Sequence, residues 1–191
     1  MVSFVQEVSM AGPNIIDGRL HSPFFICLRD GHRTGDLALL EHFRLANYKR
    51  LIDKKPRGHY VVILNANDWT VIADSWHYLL WHSKQTSIAI NSFSHAHEVF
   101  VCSVGDCDLS YAFEHYRDGV LKRKLVVDSP KFNDQIVSTD FGDPLTQEIE
   151  IWNEKIDDSI RIQMLAESIG IPLNVSADRL RTYCVVRGDE T

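Results

Sequence analysis

Residues 98–148 read EVFVCSVGDCDLSYAFEHYRDGVLKRKLVVDSPKFNDQIVSTDFGDPLTQE. Three strand-like runs sit in this stretch, and two of them are joined by Asp118-Gly119. An Asp-Gly pair between such runs is among the strongest short-range hairpin signals, because the tight turn needs positive φ at both central residues. Leu109, Tyr111 and Phe113 alternate with smaller or polar residues. That alternation predicts a strand over 109–117 with one buried face, returning over 119–127. Val99–Val104 precedes it as a further strand, and a short polar bridge leads to FGDPLTQE. The stretch specifies antiparallel sheet and carries no recognised reaction chemistry.

Working outward, His59–Leu64 and Trp69–Ala73 are rich in β-branched and aromatic residues, and the turn formers Asn65-Ala66-Asn67-Asp68 separate them. They read as a second hairpin. Pro23–Leu28 (PFFICL) is a short apolar run suited to a buried strand, ending at Asp30-Gly31. From Gly35 to about Lys54 the period changes. Leu37, Leu40, Phe43, Leu45, Tyr48, Leu51 and Ile52 recur mostly every three or four residues, which predicts a helix with one apolar stripe. Asp36 suits its N-terminal end, and Lys49, Arg50, Lys54 and Lys55 suit its C-terminal end.

A short helix is expected over Ser87–His97, while residues 74–83 fit strand or helix equally. Ile149, Trp152, Ile156, Ile160, Met164, Leu165 and Ile169 lie at helical spacing until Gly170 and Pro172 stop the pattern. Residues 2–8 and Arg181–Arg187 read as first and last strands. The expected architecture is a single α+β domain over 1–191. It has a mainly antiparallel sheet of about five to seven strands, with two principal helices, 35–54 and 145–169, packed on it.

Composition narrows the function classes. The chain has 45% hydrophobic and 24% charged residues, the balance of an ordinary globular protein. Its net charge of -6 opposes a general nucleic-acid or anionic-membrane surface, where a basic face must neutralise phosphates. The basic clusters Lys54-Lys55-Pro56-Arg57 and Lys122-Arg123-Lys124 are short and read as solvated faces. The first residues have no basic region followed by a long apolar core, so no signal peptide is expected. No apolar run approaches the ~18 residues that span a bilayer. The scattered Cys27, Cys102, Cys107 and Cys184 read as reduced thiols, and the expected location is the cytoplasm.

Two groups of residues are candidate sites. Asp74, Trp76, His77, Tyr78, Trp81 and His82 form the most aromatic segment, able to line a pocket or anchor a partner. The plainer reading is that this segment covers the sheet, with Asp74 as a turn or cap residue. His95 and His97 form a His-x-His pair, followed by Glu98, Cys102 and Cys107. Imidazole and thiolate suit zinc, yet the spacing lacks the close Cys-x2-Cys pairs of structural sites, and Cys102 fits an apolar strand. The acids of Gly105-Asp106-Cys107-Asp108 lack the remaining ligands of a calcium loop. No Gly-x-Ser-x-Gly elbow, P-loop, Gly-x-Gly-x-x-Gly or His-Glu-x-x-His is present.

One order of features points to a group of proteins. Asp108-Leu109-Ser110-Tyr111-Ala112-Phe113, Asp118-Gly119, Leu121-Lys122-Arg123 and then Gly142-Asp143-Pro144-Leu145 with Glu148 precede a long helix. This pattern resembles uncharacterised families of small bacterial cytoplasmic proteins, some of them associated with toxin immunity. The resemblance implies a bacterial interaction protein and brings no catalytic residues with it. The expected function is therefore a non-enzymatic binding module, of immunity type, whose acidity suits a basic protein partner such as a toxin. No nucleic acid, membrane or cofactor is expected, and the chain is a monomer or a homodimer. The competing expectation is a small metal-dependent hydrolase built on a His-rich cleft, with zinc held by His95 and His97.

Overall fold

Asp118-Gly119 turns a hairpin near one side of a large antiparallel sheet. The computed structural model describes residues 13–16, 18–52, 59–75, 80, 83–104, 110–131, 134–153 and 158–185. A small pair, β1 (Asn14–Ile16) and β2 (Arg19–His21), stands apart. The main sheet contains β3 (Phe24–Arg29), β4 (Tyr48–Arg50), β5 (Tyr60–Ala66), β6 (Trp69–Asp74), β7 (Val99–Val104), β8 (Tyr111–Arg117), β9 (Val120–Lys131), β10 (Asp134–Phe141) and β11 (Arg181–Val185). Its order is β10-β9-β8-β7-β3-β6-β5-β11-β4, antiparallel at every join.

Helices cover both faces. α1 (Asp36–His42) and α2 (Lys84–Ser94) bring Leu39, Leu40, Ala89, Ile90 and Phe93 onto Ile26, Leu28, Ile63 and Ile72. α3 (Thr146–Trp152) and α4 (Asp158–Ser168) bring Ile151, Ile162 and Leu165 onto Phe25, Leu64, Phe100 and Phe113. Strands buried on both faces need apolar residues throughout, which is why β3, β5, β6 and β7 read as continuous runs. No helix among the described residues is long and apolar enough to cross a membrane.

This architecture corrects the expected one. Among the described residues the sheet has nine strands where five to seven were expected, and there are four α-helices where two principal ones and a short one over 87–97 were expected. The stretch 35–54 is not one helix. α1 stops after His42, where Arg44 takes a left-handed φ of 59°. Leu45 N–H then reaches Leu40 C=O at 2.7 Å and Arg44 N–H reaches Glu41 C=O at 2.9 Å, the paired bonds that close a Schellman motif. The chain continues into β4, where Tyr48 is buried as a strand residue. The stretch 145–169 holds two helices, α3 and α4. The polar bridge before FGDPLTQE is β10, an edge strand with no second face to bury. The strand expected over 2–8 lies outside the described residues.

The turn from β10 into α3 is held by one side chain. Arg123, in the middle of β9, is only 2% exposed. Its Nε and Nη2 donate to Glu148 at 3.0 and 2.5 Å, and its Nη1 donates to Asp140 and to the carbonyls of Phe141 and Gly142. The guanidinium also lies 5.9 Å from the centre of the Phe113 ring. Glu148 in turn accepts the Leu145 N–H at 3.0 Å, capping α3. Gly142 has a φ of +79°, and a Cβ there would sit 1.9 Å from the Lys122 carbonyl oxygen. The Gly-Asp-Pro-Leu-x-x-Glu sequence is thus the receiving half of an arginine clamp. Of the basic cluster 122–124, only Lys122 is a solvated side chain.

A second clamp joins α1 to β11. Asp36 accepts from Arg181 Nε and Nη2 at 2.5 and 2.8 Å and from the Tyr183 hydroxyl at 2.5 Å. Burial alone would raise the Asp36 carboxyl, but these donors and the nearby Arg181 and Arg50 charges outweigh it and hold the group below its ordinary value.

Two measurements check these clamps. Arg123→Leu leaves Glu148 buried without its partner and is expected to lose about 3–5 kcal/mol of stability in urea unfolding. Lys122→Leu should stay within about 0.5 kcal/mol. Equal losses would refute the clamp. For Asp36, a depressed carboxyl stabilises the fold above its unfolded pKa of about 3.9 and loses that contribution as pH falls further. Asp36→Asn is therefore expected to show its full deficit at neutral pH, closing as unfolding is followed below about pH 4.

Candidate functional site

Asp74 ends β6 and is fully buried. Its Oδ1 lies 2.6 Å from His59 Nε2, and its Oδ2 accepts the Leu80 N–H at 2.9 Å. The other ring nitrogen of His59 lies 2.5 Å from the Tyr48 hydroxyl. Burial first, then the nearby Asp74 and Cys184, push the Tyr48 phenol up to about 12. At neutral pH the phenol keeps its proton and donates to Nδ1, and the ring gives its Nε2–H to Asp74. Tyr48, His59 and Asp74 therefore form a chain of hydrogen bonds linking β4, the residue before β5, and β6. Each polar atom is satisfied by its neighbour, so the arrangement works as a buried brace.

The rest of the aromatic segment, Trp76, His77, Tyr78, Trp81 and His82, lies outside the described residues. So do Cys107 and the acids at 106 and 108.

His95 and His97 follow α2 and share a cleft of about 390 Å³ with Arg29, Glu98, Arg117 and Asp118. The two rings do different work. His95 packs over Gly119, where a Cβ would come within 2.2 Å of its Nδ1. His97 Nδ1 bonds the Arg29 carbonyl at 2.7 Å. Glu98 is the centre of the cleft, accepting from Arg29 at 2.6 Å, His115 at 2.7 Å and Arg117 at 2.8 Å. Burial raises the Glu98 carboxyl, but the His115 and Arg117 hydrogen bonds and charges outweigh it and keep the group low. Among the described residues, no group of three or more His, Cys, Asp and Glu side chains is placed to hold a metal. Cys102 lies 2% exposed in the sheet core on the α3 and α4 side, with its thiol pushed far up by burial.

Sequence reasoning missed a further feature, the outer wing formed by β8, β9 and β10. On its α3 and α4 side, Tyr111, Phe113, Leu125 and Val127 are buried. On the opposite side the alternate residues Ala112, Glu114, Lys124 and Val126 are only half-buried. α2 brings Ala89, Ile90 and Phe93 into the apolar cluster that holds Phe24 and Ile26 of β3 and Val99 and Val101 of β7. A groove of about 360 Å³ remains between α2 and the wing, with Phe24, Ile90, Val101 and Val126 among its apolar lining.

The register carries this open face to the sheet edge. Ile136 is opposite Asp128, Thr139 opposite Val126 and Phe141 opposite Lys124. Ile136 and Phe141 are 54% and 52% exposed. Glu114 is engaged by Lys124 at 2.7 Å and by the Tyr116 hydroxyl at 2.6 Å. The signal for this face existed in the sequence as the alternation of β8 and β9. Which of the two faces a helix would leave open had no local signature.

Comparison with protein-family models, with curated proteins and with solved structures finds no significant match to this chain.

The brace is testable by unfolding. His59→Leu strands the buried Asp74 carboxylate without its imidazole and is expected to cost about 3–5 kcal/mol. Tyr48→Phe removes one hydrogen bond at the end of the chain and should cost about 1 kcal/mol. The opposite ranking would show that Asp74 does not depend on His59.

Proposed function

We propose that the protein is a non-enzymatic binding module that docks a basic protein partner on the open face of the β8–β10 wing. One observation carries this reading. Exposed Ile136 and Phe141 lie, by the β9–β10 register, on the same sheet face as Lys124, Val126 and Asp128, which line a groove beside α2. Apolar side chains collected beside a cavity favour association, because a partner removes them from water at roughly 25 cal/mol per Å². The net charge of -6 speeds encounter with a basic surface. The polar groups of Asp74, Glu98 and Arg123 are engaged in internal braces, which supports binding over catalysis.

In its specific form the module is an immunity-type protein of a bacterial cytoplasm, capping a basic toxin such as a nuclease. The partner's apolar residues enter the groove, and its cations face the acidic surface.

The test is co-purification from the native host at moderate salt. A stoichiometric basic protein is expected with the wild-type chain. It should be lost in Phe141→Glu/Ile136→Glu and retained in Ile88→Glu, which alters an exposed apolar residue of α2. Undiminished capture by the double variant would overturn the docking face. A dimer by light scattering that the double variant dissolves would instead make a second copy the occupant.

A further inference from the structure

The cleft at the end of α2 presents more charged hydrogen-bond donors than its internal brace consumes. Arg29 and Arg117 both line it, and each gives one bond to Glu98, at 2.6 and 2.8 Å. A guanidinium carries five N–H donors, so most of both forks remain for another acceptor. Both side chains are open to solvent, at 43% and 54% exposure. Arg29 is held in place from two sides, by Glu98 and by the Trp69 ring 5.3 Å away. Glu98 already meets His115 and Arg117 on Oε1 and Arg29 on Oε2. The carbonyls that close α2 are taken up as well, since Phe93 C=O accepts from Ala96 and His97 and Ser94 C=O accepts from Gly119. The negative end of the helix therefore turns no bare carbonyl of these two residues on the cleft. His95 is exposed in the same lining, and its ring makes no hydrogen bond among the described residues. Against these donors stands Asp118, exposed at the corner of the β8–β9 turn.

From this surplus of donors we infer that the cleft binds an oxyanion, the carboxylate or phosphate group of a small molecule, between Arg29, Arg117 and His95. Guanidinium forks match the oxygens of either group with paired, charge-assisted bonds. A cationic ligand would meet two arginines, and a neutral one would leave their charge unused. Asp118 opposes the anion across the cleft and keeps its affinity modest. A volume of about 390 Å³ is within the range of small-molecule sites. None of the residues lining this cleft lines the groove beside the β8–β10 wing, so the site is independent of the docking face.

The experiment uses the isotope-labelled full chain at neutral pH. Sodium phosphate, sodium acetate and sodium chloride are titrated at matched ionic strength, and the amide shifts of Ala96, His97 and Gly119 are followed. Phosphate or acetate is expected to give shifts that saturate in the millimolar range and that chloride does not reproduce; the tighter of the two names the source of the group. Arg117→Gln leaves Arg29 and His115 on Glu98, and is expected to weaken binding roughly fivefold or more while thermal melting shows it folded. Asp118→Asn keeps the turn, because asparagine tolerates the same positive φ, and removes the opposing charge. It is expected to tighten binding about twofold or more. Arg33→Gln, at an exposed arginine outside the cleft, should bind as the wild-type chain does. Shifts that chloride reproduces, unchanged affinity in Arg117→Gln, or weaker binding by Asp118→Asn would each overturn the site, the last by making it a cation site. Phe141→Glu/Ile136→Glu should leave these titrations unchanged, so this site and the docking face fail separately.

Discussion

A buried guanidinium organises the part of this protein that varies most from a simple hairpin. Arg123 enters the sheet from β9 and finds acceptors on β10, on the turn after it and on α3. Removing an arginine from water is costly unless its donors are met, so the surrounding chain has to supply carboxylates and carbonyls in one geometry. Glu148 also caps α3, which makes helix initiation and sheet registration two consequences of one ion pair. The close approach of Gly142 to the Lys122 carbonyl follows from drawing that turn down onto β9.

Similar economy marks the other polar interior groups. Asp36 ties α1 to β11, Asp74 ties β6 to β4 through His59 and Tyr48, and Glu98 gathers two arginines and a histidine at the end of the sheet. In each case a carboxylate is surrounded by donors from strands distant in sequence. Among the described residues these braces engage Asp36, His59, Asp74 and Glu98. The open wing differs in kind: Ile136 and Phe141 are exposed on it, and the Lys124–Glu114 pair beside its groove is closed on itself. The proposed docking function rests on that contrast.

Two helix ends show why some structure was legible and some was not. α4 ends at Gly170, with φ +90° and Ile171 N–H reaching Ala166 C=O at 2.9 Å. α1 ends by the same pattern of bonds with Arg44 in the left-handed position. Glycine announces such a position because it alone enters it without strain, whereas arginine announces nothing. The helix expected over 35–54 ran on for that reason. β10 was illegible for another reason, because an edge strand with exposed side chains needs no alternating pattern. Asp74 was identifiable as a polar residue closing an apolar strand, but His59 and Tyr48 lie 15 and 26 positions upstream, beyond any local spacing rule.

By itself the sequence determined the local conformations with strong chemical causes: the Asp118-Gly119 turn, the buried apolar strands and the glycine stop of α4. These depend on neighbours within a few residues, where backbone sterics and side-chain period act directly. The strand order, the clamps around Arg123, Asp74 and Glu98, and the face left open beside α2 were decided only by tertiary structure. Each arises when segments far apart in the chain compete for the same two sheet faces, and covering one part of a face leaves another part bare.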